Sequence, residues 1–213
     1  MLDSLFPNLT LPDHTPTSAP EAVSMAQAVL HSAGLSTASV SLLQPPVDGE
    51  PFLGARVLLS IPEAALEECL LKVAQTKAAE QGAKVKSLRL QLASQPPRPD
   101  AASAEPPMLS WKITASASLM MATVEVTVSG EFHAASPTVL TARQLALDAG
   151  TGMFAGMASA LLRPQLLKAE GRSFPLPRLA GQPVQLDSVR LTPDSGSSAG
   201  RPLLQIEVSC QTP

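Results

Sequence analysis

The chain has 213 residues, 45% of them hydrophobic and 15% charged, with a net charge of −3. That much apolar material supports a core and excludes wholesale disorder. With five Phe, one Trp and no Tyr, the chain lacks both the basic footprint and the aromatic platforms of a nucleic-acid binder, so no nucleic-acid partner is expected.

Residues 1–19 read as a flexible, proline-rich lead-in, and residues 20–213 as a single domain. The lead-in carries Asp3 and prolines where a secretory signal needs a basic region and an unbroken apolar run. No stretch approaches a membrane-spanning length. The expected setting is therefore soluble and cytoplasmic. Cys69 and Cys210 are far apart, too few for a disulfide framework, and in keeping with a reducing compartment.

Pro20 suits the first turn of a helix running to Ser32, with Ser18 or Ala19 near its cap and Gly34 as its stop. Strands follow at 37–43 and 53–61, separated by a Pro/Gly turn region. Ser60 and Glu63 have capping-box spacing around Pro62, and open a second helix that Gly82 ends. Its apolar stripe is Ala65, Leu66, Cys69, Leu70 and Val73. Its wet side is Lys72, Gln75, Lys77 and Glu80. Cys69 then reads as a small buried hydrophobe, without a nearby His to activate it.

From Lys84 the period changes to two. Leu88, Leu90 and Leu92 face one way, Arg89 and Gln91 the other. Residues 94–107 form a proline-rich loop, expected to be mobile and exposed. Alternation resumes at Leu109, Trp111, Ile113 and Ala115, and again at Val124, Val126, Val128 and Phe132, with a turn expected at Met120–Met121. Gly130 falls on the apolar face, which marks a bend or a close backbone approach. Another strand spans 138–147. A third helix begins near Met153, with Met153, Phe154, Met157, Ala160 and Leu161 as its buried stripe, and Pro164 kinks or interrupts it. Two closing strands, 184–191 and 203–210, flank a turn-rich connection. Long one-sided strands denote antiparallel pairing.

No reaction motif emerges. Gly150-Thr151-Gly152-Met153-Phe154-Ala155 fits a dinucleotide fingerprint, and Glu170 lies where a ribose-binding acid is expected. The mixed polarity of the preceding strand and the short chain remaining favour a plain strand-to-helix turn. His14, His31 and His133 are scattered, in no metal spacing. The paired acids Glu67 and Glu68 read as solvated. The apolar segments carry Met108, Met120, Met121, Met153 and Met157, whose adaptable shape suits either ordinary core filling or a cavity for a flexible apolar guest.

The closing stretch resembles the end of the DUF2993 (LmeA-like) proteins of the tubular lipid-binding superfamily. The resemblance lies in Pro175-Leu176-Pro177, the Gly181 turn, the strand Val184–Leu191, the turn Asp194–Gly200 and the strand from Leu203. It extends loosely over 53–210. It implies an α+β fold in which a long curved antiparallel sheet wraps one or two amphipathic helices around an apolar cavity. The chain departs from secreted members in lacking an export signal and in its 94–107 loop.

The function expected is non-catalytic binding or carriage of a lipid or other hydrophobic ligand, with transient membrane contact and no cofactor or metal. The expected lining is Leu66, Leu70 and Val73 from the second helix. Leu88, Leu90, Leu92, Trp111, Ile113, Val124, Val126 and Val128 come from the sheet, and Met153, Phe154 and Met157 from the third helix. The alternatives are an interaction protein with a filled core, and a nucleotide-dependent enzyme using Gly150–Ala155.

Overall fold

The computed structural model describes residues 15–50, 52–80, 82–94, 109–119, 122–176, 178–179, 182–194 and 200–210. The lead-in to residue 14, most of the proline-rich loop and the Met120–Met121 turn lie outside them. The described elements are α1 (Ala19–Ser32), β1 (Ser39–Gln44), β2 (Arg56–Pro62), α2 (Glu63–Glu80), β3 (Lys84–Ser94), β4 (Leu109–Leu119), β5 (Ala122–Ser136) and β6 (Val139–Asp148). They continue with α3 (Met153–Ala169), β7 (Ser173–Pro175), β8 (Arg178–Leu179), β9 (Gln182–Pro193) and β10 (Pro202–Cys210). The fold is α+β, and all described strand pairs are antiparallel.

The strands are dealt into two five-stranded sheets, ordered β1-β2-β10-β9-β8 and β3-β4-β5-β6-β7. The first joins both ends of the chain, and the second is made from its middle. Helix α2 runs from one sheet to the other. Arg201, just before β10, reaches back to Glu67 on α2 at 2.9 Å. The Leu186 N–H on β9 donates to the Pro137 carbonyl at the β5–β6 turn, at 2.7 Å.

Local chemistry sets the helix ends. Ser18 caps α1, accepting the Glu21 N–H, and Gly34 leaves it at φ 87°, a conformation that costs glycine little. The capping box expected at Ser60 does not form. Ser60 is an interior residue of β2, opposite Ser39 and Gln205, so its side chain is not placed at a helix start. Pro164 does not end α3, which continues to Ala169. The missing proline N–H leaves the Ala160 carbonyl without its usual donor.

Two small clusters of buried residues form part of the described core. Ala19, Phe52, Ala55, Val184 and Cys210 join α1 to the first sheet. Leu35, Ala38, Ile61, Ala65 and Cys69, with Leu30 of α1 packed against them, join the end of α1 and the connection after it to β2 and α2. Both cysteines are buried and free, as the helical stripe implied for Cys69.

Side chains on or next to each helix also meet open backbone groups of the strands, at the edge strands β1 and β3 and on the part of β6 that β7 leaves unpaired. The Gln27 amide of α1 accepts the Val40 N–H at 2.8 Å and donates to the Ala38 carbonyl at 2.7 Å, beside β1. On α2, the Glu63 and Glu67 carboxylates accept the Leu92 and Leu90 N–H groups of β3 at 2.9 and 2.8 Å. Just past α3, Glu170 accepts the Gln144 and Leu145 N–H groups of β6 at 3.0 and 2.8 Å. These side chains take the place of a further strand, which an open edge would otherwise recruit from another molecule.

Candidate functional site: the apolar face of the second sheet

The register brings the expected sheet residues into rows. Val85 lies opposite Ala117, and Ala117 opposite Val124. The next row is Leu88, Ala115 and Val126, and the next Leu90, Ile113, Val128 and Leu147. The last is Leu92, Trp111 and Gly130. A bulge between Val85 and Ser87 returns Val85 to the face of Leu88, three residues on, where a two-residue period alone would reverse it. Leu90 is buried, while Leu88, Leu92, Trp111, Ile113, Val124, Val126 and Val128 are only half-buried. No large side chain among the described residues is fully buried.

Gly130 is the close approach its position suggested. A Cβ there would stand 2.8 Å from the Trp111 ring and would also strike Leu145. The Trp111 indole thus covers a gap that any side chain would fill. Phe132 lies next to it, with ring centres 6.0 Å apart. The indole N–H of Trp111 is buried without a hydrogen-bond partner, an unmet donor that is costly in an apolar setting. Opposite Gly130, β6 inserts one extra residue, so that Gln144 and Leu145 together face it, and Gln144 adopts φ 55°. Glu170 holds this bulge. The two acceptors of its carboxylate are therefore engaged with Gln144 and Leu145.

That arrangement overturns the ribose-binding role considered for Glu170. The dinucleotide reading of Gly150–Ala155 fails for a second reason: β6 pairs antiparallel with both β5 and β7, so no parallel crossover unit surrounds the turn.

A depression of about 390 Å³ is lined by polar residues of the alternate parity, among them Lys112, Ser129 and Glu131, together with Leu92, Trp111 and Gly130 of the last apolar row. His133 contacts Glu131 there at 2.8 Å. Among the described residues no group of three His, Cys, Asp or Glu could hold a metal ion.

The helical contributions differ from expectation. Leu66 packs into the α1–β2–α2 cluster, and Leu70 and Val73 are half-buried. Met153 is 72% exposed and Met157 43% exposed, so neither lies in a buried stripe. The face of α3 turned inward carries buried Ala155 and half-buried Ala158, Ser159, Leu166 and Ala169, and α3 packs against β5 and β6. Its rotation is set at the C-terminal end, where Glu170 and the Gly171–Arg172 backbone are tied to Gln144, Leu145 and Ala142. The Phe154 side chain lies outside the described set.

Glu67 and Glu68 also separate. Glu68 is solvent-exposed beside Lys72 at 2.8 Å, whose hydrogen bond and charge hold its carboxyl below the usual range. Glu67 is engaged with Leu90 and Arg201, so it is not a free surface acid. The edge-binding roles of Glu63, Glu67 and Glu170 had no sequence signal, because backbone partners 23 to 29 residues away leave no local pattern.

No family model matches the chain, so none carries the resemblance of 53–210 to the DUF2993 proteins, and no curated protein matches it. Among solved structures the chain is similar to the crystal structure of lipopolysaccharide binding protein, at 14% identity and a TM-score of 0.25. The match covers 80% of this chain and 45% of that one, so the chain spans less than half the length of that structure.

Proposed function

We propose that this protein binds or carries a lipid or similar hydrophobic molecule on the apolar face of its second sheet, without catalysing a reaction on it. The observation that carries the reading is the register. Four rows of aliphatic and aromatic side chains from β3, β4 and β5 make one continuous face, most of it half-buried. Covering such a face with an acyl chain gains about 0.8 kcal/mol per methylene buried. The scarcity of charge and the resemblance of residues 53–210 to DUF2993 proteins support the same reading.

Native mass spectrometry of the gently purified protein, with organic extraction, tests it. A co-purifying lipid of defined mass is expected, recovered chemically unchanged after incubation. Val126→Trp, placed mid-face, is expected to displace it while the circular dichroism stays the same. A clean apo mass with no uptake of added lipids overturns the reading in favour of an interaction protein. A shifted lipid mass after incubation would show catalysis.

A further inference from the structure

Helix α3 is turned inside out relative to an ordinary surface helix. Mostly small side chains, with Leu166, face the sheet, and the outward stripe at 153, 157, 160/161, 164 and 167 is apolar at helical spacing. Met153, Leu161 and Leu167 on it are 72, 61 and 71% exposed. The helix has no acidic residue. Its two cations, Arg163 and Lys168, are both exposed; helical spacing places Arg163 on one flank of the stripe, beside Leu167, and Lys168 within it, between Met157 and Leu161 at its last turn. A groove of about 360 Å³ lined by Ser159, Ala160, Arg163, Pro164 and Leu167 runs along this outer surface.

Charge is segregated in the same sense. Residues 143–178 hold five basic and two acidic side chains, net +3, while the rest of the chain holds ten basic and sixteen acidic, net −6. An anionic surface would repel most of this molecule and attract this segment. An exposed apolar stripe with long basic side chains beside and within it is the pattern of a helix that lies in a lipid interface, its basic stems reaching back to the headgroups.

We propose that α3 is a docking helix for an anionic lipid surface, with the outer stripe inserted among the acyl chains and Arg163 and Lys168 at headgroup level. This surface is separate from the sheet face that the ligand reading uses, and each stands or falls alone.

The test is co-flotation of the full chain with vesicles of phosphatidylcholine alone and of phosphatidylcholine mixed with phosphatidylserine. Binding is expected to the mixed vesicles, weakening as salt is raised. Arg163→Gln and Lys168→Gln are each expected to weaken it by about fivefold. Met157→Glu with Leu161→Glu is expected to abolish flotation while leaving the circular dichroism unchanged, since both side chains are exposed. The charge variants carry the test even if the double acidic variant misfolds. Equal binding to both vesicle types, or none to either, overturns the proposal. So does salt-insensitive self-association lost on Leu161→Glu, which would assign the stripe to a second copy of the chain. Lipid uptake by the sheet face should be the same in the α3 variants, so the two readings fail separately.

Discussion

The Glu63 carboxylate, at the first residue of α2, accepts the backbone N–H of Leu92 at 2.9 Å, 29 residues along the chain. Glu67, one turn on, does the same for Leu90. Two acids spaced by four on a helix thus match two N–H groups spaced by two on a strand edge, because both spacings cover about 6 Å.

Glu63→Ala is expected to destabilise the fold by about 1–3 kcal/mol, the cost of stranding a buried donor. Glu67→Ala should cost as much and also free Arg201. Urea unfolding measures both. The double variant opens the β3 edge, so concentration-dependent light scattering should rise. Unchanged stability in both single variants would show that water replaces the carboxylates.

Gly130 and Gly156 should respond oppositely to alanine. At Gly130 the new methyl meets Trp111 and Leu145, and overpacking there is expected to cost about 1–3 kcal/mol and to alter the emission of the single tryptophan. At Gly156, inside α3, nothing lies within 4 Å of the added methyl, and the change should stabilise by about 0.5–1 kcal/mol. Equal thermal shifts for the two variants would contradict the close approach.

Gln144 is the one described non-glycine residue with a positive φ. Gln144→Gly should relieve about 1 kcal/mol of left-handed strain, set against a gain in unfolded-chain entropy, and so be neutral to mildly stabilising. Glu170→Ala removes the clamp on that bulge and should cost about 1 kcal/mol, with hydrogen exchange at Gln144 and Leu145 accelerated. Protection unchanged at those two amides would show that the bulge holds without Glu170.

Burial raises the thiol pKa of both Cys69 and Cys210. Their Sγ atoms should react slowly with a thiol reagent in the native protein and quickly once it is unfolded. The folded state keeps these protons where the unfolded chain has begun to lose them. Their contribution to stability is therefore complete below the ordinary thiol range, about 8.5, and is lost as pH rises from there through the folded values. Replacing both cysteines with alanine should flatten that alkaline decline.

Order and type of element were legible from the sequence, because they rest on periodicity and punctuation. Leu88, Leu90 and Leu92 at period two, Gly34 and Gly82 after helical stripes, and prolines opening helices are local signals. The strands from 84 to 147 lie within a few residues of their expected limits. The sheet half of the ligand-lining set was legible for the same reason, since one apolar parity in each of three adjacent strands must meet once they pair.

Tertiary structure alone decided the rest. Periodicity assigns α3 an apolar stripe but not its direction. The ties from Glu170, Gly171 and Arg172 to β6 turn Ala155 inward and Met153 and Met157 outward. The partition into two sheets follows from β10 returning to β2, a contact across most of the chain. Glu63 reads as a capping-box acid, Glu67 as a solvated one and Glu170 as the acid after a glycine turn, until the fold sets a strand's open N–H groups beside each. An amide left open there would take a carboxylate over water only when the backbone brings the two within reach.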